Sequence, residues 1–550
     1  MQLWIIAMSA LNFATAYFVL SRLFRFGTLA AAFGAFLFSF GAVRVNQLGH
    51  EQLVPQFYTL LALYGLGRAL ETAWEVGAQW KTAGHLGLFA ACSALQFWAG
   101  FYLAWFFGVA LVLAVPWALA FRESREAGWR LVHRHPLAIV GGAALGVLML
   151  LPAATTYLAA GRQVGMRDYG EVTTMLPRLS SWIDMGPWSW LYGRLNETGL
   201  FDSIPMEHEH RLGVGFVTPL LCLAGLFFLW RNVAVRVVVL AMLTFVVIGM
   251  WWPILGAHAS AWKMVYQHVP GAGAIRAVSR FGILVLLPLS LGLAGVVKRL
   301  QGWKAKERWG ALAAVGAVVA LEQGLTTPSF DKERAYGDAA EIARRVDTSC
   351  KAFFYAPIGS RAPYFKHQLD AMSAQMIARV PTVNGYSGFN PPNWFLEHVN
   401  MRSPIDQPRV DAALKHWAAA NGIDASGICR VYFQPGLDAP NHAVFVAQSV
   451  PPRMKAGAPQ RVSLTFRNQG YESWRRAAWH RLGAAGATRA WGLERVYLER
   501  SVKPGEEYTF EFEVTAPPQP GTYQFSWRMV QEVVEWFGEP SPPVAIEVVP

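Results

Sequence analysis

From Leu3 to Leu321 the chain alternates between uncharged apolar runs and short segments rich in arginine and lysine. The runs are Leu3–Leu20, Gly27–Val43, Leu53–Gly67, Leu86–Ala99 and Tyr102–Phe121, then Leu137–Ala159, Gly213–Trp230, Val237–Ile254, Phe281–Val297 and Trp309–Leu321. Runs of this length suit bilayer-crossing helices better than soluble core helices, so the pattern predicts about ten spans. The fourth is short and draws on its Gly-Phe-Tyr neighbours to reach across. The first leads directly into further apolar runs, unlike a cleavable leader.

At Gly324 the pattern becomes that of a soluble protein. Asp338–Val346, Gln368–Arg379 and Arg409–Asn421 have helical character, while Ala352–Ala356 and Arg430–Gln434 read as buried strands. Strands alternating with helices predict a small α/β layer with parallel pairing. The aromatic, turn-rich stretch Asn384–Pro392 predicts a loop of fixed shape. Val450–Pro459 reads as a linker, and period-two alternation follows in Arg461–Arg467, Glu507–Thr515, Gly521–Met529 and Val544–Val549, which predicts a β-sandwich. Three parts result: a polytopic membrane domain over residues 1–323, an α/β domain over 324–450 and a β-sandwich over 460–550.

Composition strengthens the membrane reading: the 550 residues are 53% hydrophobic and only 15% charged, with 23 Trp. Charge then supplies the topology. The net +12 could suggest nucleic acid, but its arginines and lysines cluster between the apolar runs. The clusters are Arg22 and Arg25; Arg68 and Lys81; Arg122 to Arg134; Arg231 and Arg236; and Lys298 to Arg308. That is the positive-inside pattern, and it accounts for the basic balance without a nucleic-acid partner. With every cluster in the cytoplasm the runs alternate without conflict, which places Met1 and everything after Leu321 outside.

Candidate chemistry lies in the external segments. Arg44–Pro55 is a polar island between two uncharged runs, and adjacent His50 and Glu51 at a membrane surface make a site hypothesis. The competing reading is a helix-end loop whose polar groups face water. Gly161–Leu212 carries Glu207-His208-Glu209-His210-Arg211; adjacent loop residues seldom converge on one ion, so a solvated loop is favoured over a metal site. In Leu255–Arg280, Arg276 and Arg280 are four apart and would share one face of a helix starting near Gly273. Paired guanidinium forks suit a phosphate; snorkelling to lipid headgroups is the alternative. Cys92 and Cys222 fall inside spans and should be free. Cys350 and Cys429 each sit at the start of a predicted strand, where parallel neighbours would bring them within bonding range; a disulfide and two free thiols both stay open.

Gly49-His50-Glu51-Gln52-Leu53, the stretch Pro270–Phe281, Glu322 and Asn384–Phe389 make the first 450 residues resemble the GT-C superfamily of integral-membrane glycosyltransferases. The resemblance implies a bacterial cytoplasmic-membrane protein that transfers a sugar from a polyprenyl-phosphate donor to an extracytoplasmic acceptor. His50 and Glu51 would be catalytic or orienting, and Arg276 and Arg280 would bind the phosphate. Its partners would be membrane lipid and the lipid-linked sugar, with no metal. Members carry an acidic residue in the first external loop; here that loop is absent, which implies a chain incomplete at its N-terminus or an inactive one. A non-catalytic envelope protein displaying its outer domains is the alternative, and a transporter is disfavoured by spans with few internal charges and no clear inverted repeat. Asn468-Gln469-Gly470, Trp474, Trp491, Pro504-Gly505, Pro520–Tyr523, Trp527–Met529 and Phe537-Gly538 resemble the four-tryptophan Ig-like domain of autophagy receptors. That implies a non-catalytic module with a protein or glycan partner. Trp527 should be buried between the sheets, whereas Trp536 and Phe537 should pack on the α/β domain or await a partner.

Overall fold

The computed structural model describes every residue except 1, 253–259, 327–331, 359–363, 389, 391–393, 395, 397–398, 400–403, 433–440, 471, 486–487 and 533. Ile254, Phe389, Pro391, Pro392 and Gln434, which belong to expected elements, therefore lie outside the described residues. The chain forms two compact units, residues 1–329 and 330–550.

The first unit is helical. In order it contains α1 (Gln2–Arg22), α2 (Thr28–Phe40), α3 (Ala42–Val45), α4 (Phe57–Thr72), α5 (Gln79–Ala99), α6 (Phe101–Ala120) and α7 (Arg122–Arg134). Then come α8 (Pro136–Val164), α9 (Tyr169–Thr174), α10 (Val217–Leu229), α11 (Val233–Gly249), α12 (Trp262–His268), α13 (Gly282–Leu300) and α14 (Ala305–Glu322). Among the described residues five helical stretches are long and apolar enough to cross a membrane: Gln2–Arg22, Thr28–Val45, Phe101–Ala120, Pro136–Arg162 and Val278–Leu300. Two further apolar helices, Val217–Leu229 and Val233–Gly249, are shorter. The expected count of ten thus resolves into five full-length stretches and helices that are shorter or carry charge at their ends. α13 is the central element, buried along most of its length against α2, α10 and α11. α8 faces outward along most of its apolar length, as a lipid-facing helix would.

In the second unit α15 (Lys332–Arg344), β1 (Ala352–Ala356), α16 (Tyr364–Ala378), α17 (Gln407–Ala420) and β2 (Ile428–Tyr432) form the α/β layer. β1 and β2 pair in parallel with Phe353 opposite Cys429, as the strand–helix alternation predicts. Starting at the same end places Cys350 and Cys429 5.8 Å apart at Cα, and they form a disulfide; Cys92 and Cys222 are free and buried. The bridge closes a loop of 79 residues. Its reduction should destabilise this layer by about 2–4 kcal/mol through the freed unfolded chain, read as a lower urea midpoint with reductant.

The remaining strands are β3 (Ala443–Ser449), β4 (Arg453–Lys455), β5 (Pro459–Asn468), β6 (His480–Ala484), β7 (Arg495–Tyr497), β8 (Glu507–Thr515), β9 (Gly521–Phe525), β10 (Trp527–Gln531), β11 (Glu535–Phe537) and β12 (Val544–Val549). They form three sheets, ordered β3-β5-β8, β4-β12-β9 and β11-β10-β6-β7. The segment read as a linker contains β4, and β3 before it pairs with β5, so the sheet structure begins ahead of residue 460. Proline and glycine punctuation near 450–459 marks turns between short strands rather than a tether. The single strand expected over Gly521–Met529 divides at Ser526: β9 pairs with β12, and β10 with β6. Trp474, Trp491 and Trp527 fill the core. Phe537 is buried, contrary to expectation, because it opposes inward-facing Met529, while the next position on the pleat turns Trp536 outward.

Candidate functional site

The polar island is held in shape before it offers any chemistry. Arg44 is buried, with its Nε and Nη2 donating to Phe38 O at 3.1 and 2.9 Å and Nη1 to Val54 O at 3.1 Å. Its guanidinium satisfies the C-terminal carbonyl of α2 and ties it to the chain entering α4. Asn12 on α1 donates to Val54 O at 2.8 Å and accepts from Gln56 N at 2.9 Å. This network fixes the turn on which His50 stands.

Arg280 arrives from the opposite side. The pair Arg276 and Arg280 does not share a helical face, because Ala272–Ala274 and Val278–Phe281 are separate 3-10 turns with extended Ile275 between them. Proline and two glycines before Ile275 delay the regular helix until Gly282. Phe281 stacks on Phe245 at 4.7 Å and Ser279 N donates to Met175 O at 3.1 Å, so the backbone at Arg280 is clamped.

The two guanidiniums then diverge. Arg280, almost fully buried, makes a bidentate pair with buried Glu209: Nε to Oε2 at 3.0 Å and Nη2 to Oε1 at 2.6 Å. The same Nη2 lies 2.8 Å from His50 Nε2. A guanidinium nitrogen can only donate, so this Nε2 accepts and the imidazole carries its proton on Nδ1. Glu209 Oε1 is a further 3.4 Å contact of His50 Nε2, too long to win against the guanidinium. Arg276, about a third exposed, pairs instead with Glu171 at 2.9 Å, and Arg167 reaches the same carboxylate at 3.6 Å. Tyr102 joins the clusters: its ring lies 5.2 Å from the Arg280 guanidinium, and its hydroxyl accepts from Arg276 N at 3.1 Å. Glu51 is exposed and no side-chain partner engages it among the described residues.

Sequence reasoning passed over Glu209 and Glu171, the carboxylates that organise the site. The Glu-His run is no solvated loop. Glu207 binds Arg211 at 2.8 Å, Glu209 binds Arg280, and His210 donates from Nε2 to Thr174 O at 2.8 Å while Nδ1 accepts from Ser181 at 3.0 Å. Adjacent side chains on a 3-10 turn point apart, and among the described residues no three His, Cys, Asp or Glu converge. The surplus of buried arginines opposite this loop was the available signal, since buried guanidiniums need carboxylates.

Burial dominates the titration of this loop. It would raise the Glu209 carboxyl, but the paired hydrogen bonds and the charge of the Arg280 guanidinium outweigh it and hold Glu209 well below the usual range. Burial, aided by Arg178, pushes His210 down to about 4. Burial, with Glu207 nearby, pushes Asp184 up to about 7. An acid raised in the folded state holds its proton longer there, so Asp184 lowers stability progressively as pH rises from about 4 to about 7. His210 acts in the opposite sense below about 6.5, because the unfolded imidazole binds the proton first. Asp184→Asn should therefore gain on the parent between pH 4.5 and pH 8, seen as a widening positive difference in Tm.

A cavity of about 790 Å³ lies elsewhere. Leu60, Leu63, Phe107 and Met242 line its apolar body, and Arg25, Arg68 and Glu71 stand at its rim. Arg68 and Glu71 stand in the last turns of α4 and Arg25 in the turn after α1, at the other end of the helices from His50.

Residues 452–548 match the family described as the Ig-like domain from next to BRCA1 gene. The sandwich is thus an Ig-like domain, and the match extends to no other part of the chain. No curated protein matches the sequence.

Proposed function

We propose that the chain is a polytopic membrane glycosyltransferase-like protein of GT-C type, with about ten spans and both C-terminal domains outside the cell. In this reading it transfers a sugar from a polyprenyl-phosphate donor. The carrying observation is the chain Glu209–Arg280–His50 next to Arg276. Arg280 is neutralised by Glu209 and cannot serve as an open phosphate fork, so its role is to orient His50. What remains available is Nδ1–H of His50, the exposed edge of Arg276 and the free carboxylate of Glu51.

Those groups suit a leaving phosphate and an attacking hydroxyl. Glu51 takes the proton of the acceptor as its oxygen attacks the anomeric carbon; His50 and Arg276 donate to the departing phosphate as its charge develops. A second reading, a non-catalytic envelope protein, draws support from the closed Arg280–Glu209 pair and from the cavity's position at the opposite end. Turnover separates the two. Purified protein in nanodiscs, given a panel of polyprenyl-phosphate hexoses, should release polyprenyl phosphate, and Glu51→Gln should lower the rate by about 100-fold or more. No release with any donor favours the envelope reading. Reporter fusions after Arg130 and after Val450 should report opposite sides of the membrane; the same side for both would reject the topology.

A further inference from the structure

One face of the Ig-like domain is built for display. In the sheet β11-β10-β6-β7 the register aligns Trp536, Val530, Arg481 and Tyr497 in a single row across all four strands. Alternation turns this row to the side opposite Leu482, Met529 and Phe537 of the core, and within it Trp536 and Tyr497 are exposed while Val530 is buried. The neighbouring row is Arg528, Gly483 and Arg495. Gly483 makes room there: a Cβ would lie 2.6 Å from the Trp536 ring, which would have to shift. Arg495 stands 4.9 Å from that ring.

A second device holds another ring out. Trp479, 55% exposed, has φ +66°, a conformation costly for a bulky side chain. Hydrogen bonds fix it on both sides: its amide donates to Arg476 O at 3.0 Å, and its carbonyl accepts from Glu532 N at 3.1 Å. Strain maintained to expose a tryptophan is a mark of function rather than of packing. The Arg481 guanidinium lies 5.4 Å from Trp479 and 4.5 Å from Tyr497, with Arg476 at 5.0 Å from Tyr497. Among the described residues the charges of this face are Arg476, Arg481, Arg495 and Arg528 against Glu532, a clear positive excess.

We infer that this face is a docking surface for an acidic protein segment, independently of the transferase reading. Tryptophan, tyrosine and arginine are the residues that carry protein-interface energy, and clustered arginines select carboxylate-rich partners. Glu532 engages Arg481 and Arg495 together, one carboxylate between two guanidiniums, and Arg528 donates to Gly538 O at 2.7 Å, so exposed Arg476 and the surplus positive charge are what a carboxylate-rich segment would meet.

The test uses the full chain in nanodiscs and a fluorescein-labelled, Asp/Glu-rich dodecapeptide read by anisotropy. The peptide should bind, with affinity falling as salt rises from 50 to 300 mM. Arg476→Glu should weaken binding by about tenfold. Trp479→Gly, which relieves the strained φ, should keep or raise Tm and still weaken binding severalfold. Sodium polygalacturonate is the alternative ligand. Absence of peptide binding, binding of the polysaccharide without the peptide, or an unchanged peptide affinity in both folded variants would each overturn the inference.

Discussion

Arg280→Ala should destabilise the helical unit by about 3–5 kcal/mol, the cost of leaving a buried carboxylate without its partner. Glu209 is itself buried and accepts both hydrogen bonds of the fork, so water does not replace the guanidinium. Burial then acts unopposed on Glu209 and drives it towards its neutral form. Two signatures follow. In the parent, Glu209 contributes stability that is present above the unfolded carboxylate range near pH 4.3 and lost as pH falls through its lower folded value. In Arg280→Ala that acid-side loss should disappear, because the charged form is no longer favoured. Arg280→Lys should fall between the two: the charge remains but the bidentate geometry does not. Glu209→Gln combined with Arg280→Met should recover much of the loss, since an uncharged pair leaves no isolated charge. Denaturant midpoints across pH 3–8 check all four proteins, and an Arg280→Ala protein as stable as the parent would remove the ion pair from the structural core of the site.

Glu322→Ala should be at least comparably severe, at about 3–9 kcal/mol if each of the three orphaned amides costs about 1–3 kcal/mol. The buried carboxylate accepts from Phe216 N at 2.8 Å, Val217 N at 2.9 Å and Thr218 N at 2.6 Å, and also from the Tyr192 hydroxyl. It is the N-terminal cap of α10, delivered from the end of α14 and matched to the positive pole of the helix. Gly215 completes the device: at φ +92°, it would place a Cβ 2.3 Å from the Glu322 carboxyl carbon. Gly215→Ala should therefore reproduce part of the defect by displacing the Glu322 carboxylate without removing it. Glu322→Gln keeps one acceptor and should cost about 1–3 kcal/mol. Thermal unfolding followed by cysteine accessibility at buried Cys222 on α10 reports the loosening of that helix directly. Protection of Cys222 unchanged in Glu322→Ala would refute the capping role.

Periodicity and length made the apolar helices, the parallel β1–β2 pair, the nearness of its two cysteines and the long sandwich strands legible in the sequence; whether those cysteines bond stayed open. Those features follow from local pattern. What pattern could not supply was pairing at a distance. Glu209 and Arg280 are 71 residues apart, and Glu322 reaches a helix start over 100 residues earlier. Spacing between Arg276 and Arg280 suggested a shared helical face, but glycine and proline broke the helix and sent each to a separate carboxylate. His50 was visible because a histidine between apolar runs is unusual; its orientation depends on Arg280 and was not visible at all. In the sandwich the short strands β6, β7 and β11 lack enough alternation to be seen, although the display face is assembled from them together with β10.

The most direct test of the proposal that His50 and Arg276 recognise a phosphate is equilibrium binding of polyprenyl phosphate to the protein in nanodiscs, set against polyprenol of equal chain length. The phosphate form should bind at least about tenfold more tightly, a difference of about 1.4 kcal/mol, and Arg276→Ala should abolish most of that preference. Equal binding of the two lipids, or a preference that survives Arg276→Ala intact, would contradict the assignment of His50 and Arg276 to a phosphate.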